Sequence, residues 1–147
     1  MDVCPECNAP VRDAQTCEEI YGQFLSLEFV DPGYGAVHHL TVPAYMLQHP
    51  SRLSRLGWIV VRERLCGFLT GKLDIATLKA HNNHRFAQPK KGGSLKPNRD
   101  SLSIPAHIWS LTIASVSSAD ATTYQGDIRR WAEAIVVDSS KIAASIV

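Results

Sequence analysis

CPECNAPVRDAQTCEEIYGQFLSLEFV, residues 4–30, places three cysteines before and at the start of a segment with helical apolar spacing. How these residues are read decides how the front of the chain is built. From Thr16 to Val30, Ile20, Phe24 and Leu27 fall on one helical face, and Tyr21, Leu25 and Phe29 widen it. Thr16 is suited to cap that helix, and Glu18 and Glu19 complement the positive end of its dipole. Cys4 and Cys7 form a C-x2-C, and Cys17 follows at the first turn of the helix. A thiol there is biased toward the thiolate that a metal ion needs. With a fourth donor, the three sulfurs would make a closed tetrahedral site of the kind zinc prefers.

The residues that follow indicate where the fourth donor comes from. DPGYG (31–35) reads as a turn. AVHHLTVPAYMLQHP (36–50) reads as a second helix closed by Pro50. Pro43 lies inside it, which predicts either a kink near His39 or a start after Thr41. If the two helices form an antiparallel hairpin, each about 20 Å long at ~1.5 Å per residue, the end of the second returns to the start of the first. Among His38, His39, His49 and Cys66, this ranks His49 first as the partner of Cys4, Cys7 and Cys17, with His38 second. Cys66, within an apolar helix, reads as a small buried hydrophobe.

Further along, residues 51–71 form the most apolar helix, with Leu56, Ile59, Val60, Cys66 and Phe68 expected inside and Gly71 as its stop. Residues 74–84 read as a short helix capped by Asp74. Residues 85–99 hold five basic side chains and no acid, with two Pro and two Gly, and read as a basic flexible loop extending to 102. Residues 103–116 look extended. Tyr124, Ile128, Trp131 and Ile135 then recur at helical steps as a stripe facing the core, and the tail from Asp138 is expected to fray or form one more short helix.

Composition narrows the function classes. Apolar residues make up 45% and charged residues 20% of the 147, with a formal net charge of +1. This fits an ordinary globular chain without a global charge that would draw it to nucleic acid or acidic lipid. No apolar run reaches the ~18 residues of a membrane span, and the N-terminus lacks the pattern of a signal peptide. The expectation is a cytoplasmic protein, where clustered thiols stay reduced and bind metal more often than they pair.

Other chemistry has weaker support. A redox C-x2-C belongs after a strand and at the opening of a helix, whereas this one stands at the start of the sequence. Glu28, His38 and His39 are the candidate lining of an enzyme cleft with an open coordination position. The simpler reading is that His38 bonds Glu28 and ties the two helices together. No serine sits in a nucleophile elbow. The 85–99 run offers a nucleic-acid alternative, whose affinity would fall steeply with salt.

The stretches CPECNAPVRDAQTC, LSLEFVDPGYGAVHHLTVPAYMLQHPS and WSLTIASV, followed by IRRWAEAIV, resemble a family of small uncharacterised bacterial proteins grouped as a domain of unknown function. The likeness covers most of the chain and is strongest over 4–51. It implies a cytoplasmic, metal-binding helical domain without an attached activity, and Cys4, Cys7, Cys17, His38 and His49 match its pattern. Asn8 departs by standing where Gly is usual, and Pro43 by standing where an acidic or small residue is common.

The expected architecture is therefore a mainly α, compact single domain over 1–147. It has four to five helices, a zinc-knuckle-like turn within 1–17 and a short extended segment before the last helix. The expected role is a non-catalytic binding or regulatory module carrying Zn2+, with a protein or small-molecule partner.

Overall fold

The structure, a computed structural model, describes residues 2–10, 15–77 and 100–146. It is mainly helical, and its helical segments are more numerous than the four to five expected. Helix α1 spans Cys17–Leu27, α2 Pro32–Gly35, α3 His38–Gln48, α4 Arg55–Thr70, α5 Ala121–Asp138 and α6 Ser140–Ile146. Short 3-10 turns lie at Pro50–Arg52, Ala106–Ile108 and Ile113–Ser115. Residues 75–77 are helical, with Thr77 N–H donating to Asp74 Oδ1 at 2.7 Å. The rest of that expected helix, and the basic run 85–99, lie outside the described residues.

Local chemistry sets most of the boundaries. Thr16 caps α1 by accepting from Glu19 N–H, Ser54 caps α4 through Gly57 N–H, and Asp120 caps α5 through Thr123 N–H. Gly71 ends α4 in the left-handed region at φ 77°, which glycine enters without a Cβ penalty. The DPGYG stretch forms the one-turn helix α2 rather than a plain turn, because Asp31 accepts from Gly33 N–H at 2.8 Å and Pro32 suits a first helical position. Gly33 also lets α2 approach α5 closely: a Cβ there would lie 2.8 Å from that of Ala121.

Three expectations are corrected. Helix α3 begins at His38, not after Thr41, and runs through Pro43. Proline leaves the His39 carbonyl without its usual i+4 donor, a loss that the packing of α3 on α4 and α5 tolerates. Residues 103–116 form no ladder; extended positions such as Trp109, Thr112 and Val116 border two 3-10 turns. Leu56 is 70% exposed and Phe29 93% exposed. Leu56 sits in the first turn of α4 on its outer face, and Phe29 follows the end of α1, where helical periodicity no longer governs direction.

The core gathers where α3, α4 and α5 meet. Tyr124, Ile128, Trp131 and Ile135 of the expected α5 stripe are fully buried, against Leu47 of α3 and Trp58 and Leu65 of α4. Several buried polar groups are paired across this contact, although the Tyr124 hydroxyl is not. Gln48 donates to the Leu111 carbonyl at 2.7 Å and accepts from Trp131 Nε1 at 3.1 Å, while Trp58 Nε1 donates to the Leu47 carbonyl. Arg62 reaches Ser139 Oγ and the Val136 carbonyl, joining α4 to the end of α5. Such bonds contribute modestly when made, but losing one partner in the core costs about 1–3 kcal/mol.

Candidate metal centre

The N-terminal residues form a small loop closed on itself. Val3 and Pro10 make an antiparallel bridge, Cys4 N–H donates to the Ala9 carbonyl, and Asn8 N–H donates to the Cys4 carbonyl, both at 2.8 Å. The reversal needs one residue in the left-handed region, and Asn8 takes it at φ 66°. Asparagine tolerates that conformation better than other non-glycine residues. The turn directs Cys4 and Cys7 to the same side as Cys17, the first residue of α1.

Helix α3 supplies the fourth donor. His49 is its C-cap, and its ring is held by two contacts with Tyr45. Nδ1 donates to the Tyr45 carbonyl at 2.8 Å, which fixes the proton on that nitrogen and leaves the Nε2 lone pair free. The Tyr45 ring stacks on the imidazole at 4.2 Å between centroids, and Tyr21 of α1 stacks on Tyr45 at 4.0 Å. Ser51 N–H, just beyond His49, donates to Glu6 and so fastens the cysteine loop to the end of α3. Nε2 is shut off from solvent and has no hydrogen-bond partner.

The Sγ atoms of Cys4, Cys7 and Cys17 and a ring nitrogen of His49 all lie within 4.8 Å of one another. Among the described residues this is the group of three or more such side chains able to hold an ion. The Cys7 and Cys17 sulfurs are 3.6 Å apart, far beyond a disulfide length of about 2.05 Å. Two thiolates bound tetrahedrally at ~2.3 Å to one zinc ion stand roughly 3.7 Å apart. The spacing of this pair therefore suits a shared ion, and the otherwise orphaned Nε2 suits a fourth ligand. A ligand histidine that gives its other N–H to a backbone carbonyl is the usual arrangement around zinc.

The electrostatics follow from crowding. The thiols of Cys17 and Cys7 hydrogen-bond to Cys4 and hold its thiol well below the usual range. Cys7 is driven the other way by Cys17, then by Cys4 and by burial. One thiolate is thus welcome in the cluster, and each further negative charge is opposed until a cation arrives. Burial works to lower the His49 pKa, but the sulfurs of Cys17 and Cys4 and the Tyr45 carbonyl outweigh it and push it up to about 10.

The other residues named from sequence are placed elsewhere. His38 lies at the opposite end of α3, where Nδ1 meets the Glu28 carboxylate at 2.7 and 2.9 Å. This is the inter-helix tie that the sequence suggested as the simpler reading. His39 packs edge-on against Phe68 of α4. Cys66 is a half-buried free thiol on α4, outside the cluster. Sequence reasoning missed the Tyr21–Tyr45–His49 stack and the Glu6–Ser51 bond. The i, i+4 spacing of Tyr45 and His49 was the available signal for the stack; the Glu6–Ser51 bond joins residues 45 positions apart and left none.

The sequence pattern of a family of unknown function, DUF5946, matches residues 2–140. The chain belongs to that family. No curated protein and no solved structure matches it. Among the described residues, no helix is long and apolar enough to cross a membrane.

Proposed function

We infer that Cys4, Cys7, Cys17 and His49 hold one structural zinc ion, and that this family member is a metal-stabilised, non-catalytic binding module. The observation that carries the reading is the convergence of four protein donors from the N-terminal loop, α1 and α3 within 4.8 Å. Four protein ligands complete a tetrahedron and leave no position for water or substrate, as structural zinc sites require and catalytic ones do not. Three sulfurs and an imidazole favour zinc over the hard ions that take oxygen ligands. An ion bound with the ~10–16 kcal/mol apparent free energy of structural zinc would fasten the N-terminal residues, which bury little apolar surface of their own.

The enzyme alternative needs an open ligand position near Glu28, His38 and His39. Glu28 and His38 are instead engaged with each other. The test is metal analysis of the purified protein beside Cys17→Ala. The reading expects about one zinc per chain in the parent and a loss of most of it in the variant, with a lower melting temperature. Full metal content and unchanged melting in Cys17→Ala would refute it.

A further inference from the structure

A second feature lies at the other end of α3. Between α3 and α4 there is a pocket of about 540 Å³, roofed in part by the loop before α3 and by Ile75. Ten residues, about 15 Å at the helical rise, separate His39 in its wall from the metal-site residue His49. The volume is in the range of small-molecule sites, about 300–1,000 Å³. One stripe of each helix faces it: Val42, Pro43 and Met46 from α3, and Val61, Arg64 and Phe68 from α4.

The lining is mostly apolar, yet among the described residues its ionisable side chains are all basic: His38, His39 and Arg64 border the pocket, and no described aspartate or glutamate does. His38 is committed to Glu28. Arg64 is half-buried on the inner side of α4 and, among the described residues, has neither an ion pair nor a hydrogen bond. The Nδ1 of His39 is shut off from solvent without a partner. Burial, with help from the charges of His38 and Arg129, holds His39 below its ordinary pKa, so its ring is neutral and can accept or donate one bond. A half-buried guanidinium without a counter-ion among the described residues is a place where an anionic ligand would be favoured.

We propose that the α3–α4 pocket binds a small amphiphilic carboxylic acid, its apolar body lying among Val42, Met46, Val61 and Phe68 and its carboxylate facing Arg64, with the neutral ring of His39 in the wall. Arginine suits the role because its planar fork matches a carboxylate. Aliphatic and aromatic acids share this chemistry, and the experiment separates them.

The test is calorimetric titration of the intact, metal-replete protein with octanoate, 3-phenylpropionate and the neutral analogue octanamide. At least one acid binds saturably at one per chain, and octanamide binds at least tenfold more weakly than octanoate where octanoate is the ligand. Arg64→Gln brings the acid's affinity down by tenfold or more, while Val42→Trp and, separately, Met46→Trp fill the pocket and abolish binding with helical circular dichroism retained. Metal content stays at the parent value in all three, so this result is independent of the zinc assignment. The proposal is overturned if neither acid binds, if octanamide matches octanoate where that acid binds, or if binding survives Arg64→Gln or both tryptophan variants in folded protein.

Discussion

Two faces of α3 are organised on opposite principles. At its C-terminal end, Tyr45 and His49 meet Cys4, Cys7 and Cys17, and the neighbouring N-terminal residues hide little beyond Cys7 and Ala9. Along its core face, Leu40, Ala44, Leu47 and Gln48 pack with Trp58, Tyr124 and Trp131, all fully or nearly fully buried. One region is held by area removed from water and by satisfied polar groups, and the other by a set of donors that repel one another until a cation is present. The contrast teaches that metal loss should act locally, loosening the front of the chain while the three-helix core endures.

The largest effect is expected from chelation. Stripping the ion should raise hydrogen exchange at residues 2–10 and in the first turn of α1 by a thousandfold or more, about 4 kcal/mol, modest beside the ~10–16 kcal/mol of structural zinc binding. Amides around Trp131 should change far less. Uniform loss of protection across the chain would erase the distinction between the two regions.

Acid should act at the same end. Metal binding needs the cysteines as thiolates and His49 neutral, so bound protons must leave when the ion enters. In the metal-free protein, the nearby sulfurs and the Tyr45 carbonyl favour the protonated ring and push the His49 pKa up to about 10. That contribution is fully present below the ordinary histidine range and fades as pH rises through 10. Zinc affinity, measured by chelator competition, should therefore weaken by about tenfold or more per unit as pH falls from 8 to 6. A flat profile would mean that protons and metal do not share these donors.

The core face is probed by Gln48→Leu, which strands Trp131 Nε1 and the Leu111 carbonyl in a dry interior. Denaturant titration should record a loss of about 2–4 kcal/mol, with zinc content unchanged. Gly33→Ala sets a Cβ against Ala121 and should lose about 1–3 kcal/mol as α2 is pushed from α5. The smallest change belongs to His38→Ala. Its pair with Glu28 is half exposed on the histidine side, so about 0–1 kcal/mol is expected.

The contrast also explains what was legible in the sequence. The α5 stripe was readable because Tyr124, Ile128, Trp131 and Ile135 repeat at the helical period and all turn inward. The cysteine spacing and the hairpin argument together indicated His49, since only chain length and direction were needed to bring it near Cys17. Leu56 and Phe29 misled because an apolar residue on a helix's outer face, or past its end, looks like a core residue until neighbours are known. The 103–116 segment is rich in strand-favouring residues but has no partner strand among the described residues, and it folds into 3-10 turns against the core. The α3–α4 pocket was hidden because it depends on the approach of two helices, which periodicity does not give.

The most direct measurement is zinc-edge X-ray absorption on the purified protein. The account predicts one zinc per chain with three sulfur scatterers near ~2.3 Å and one nitrogen near ~2.0 Å. Two sulfurs with added oxygen ligands, or a metal-free protein whose Cys7 and Cys17 are bonded to each other, would contradict it.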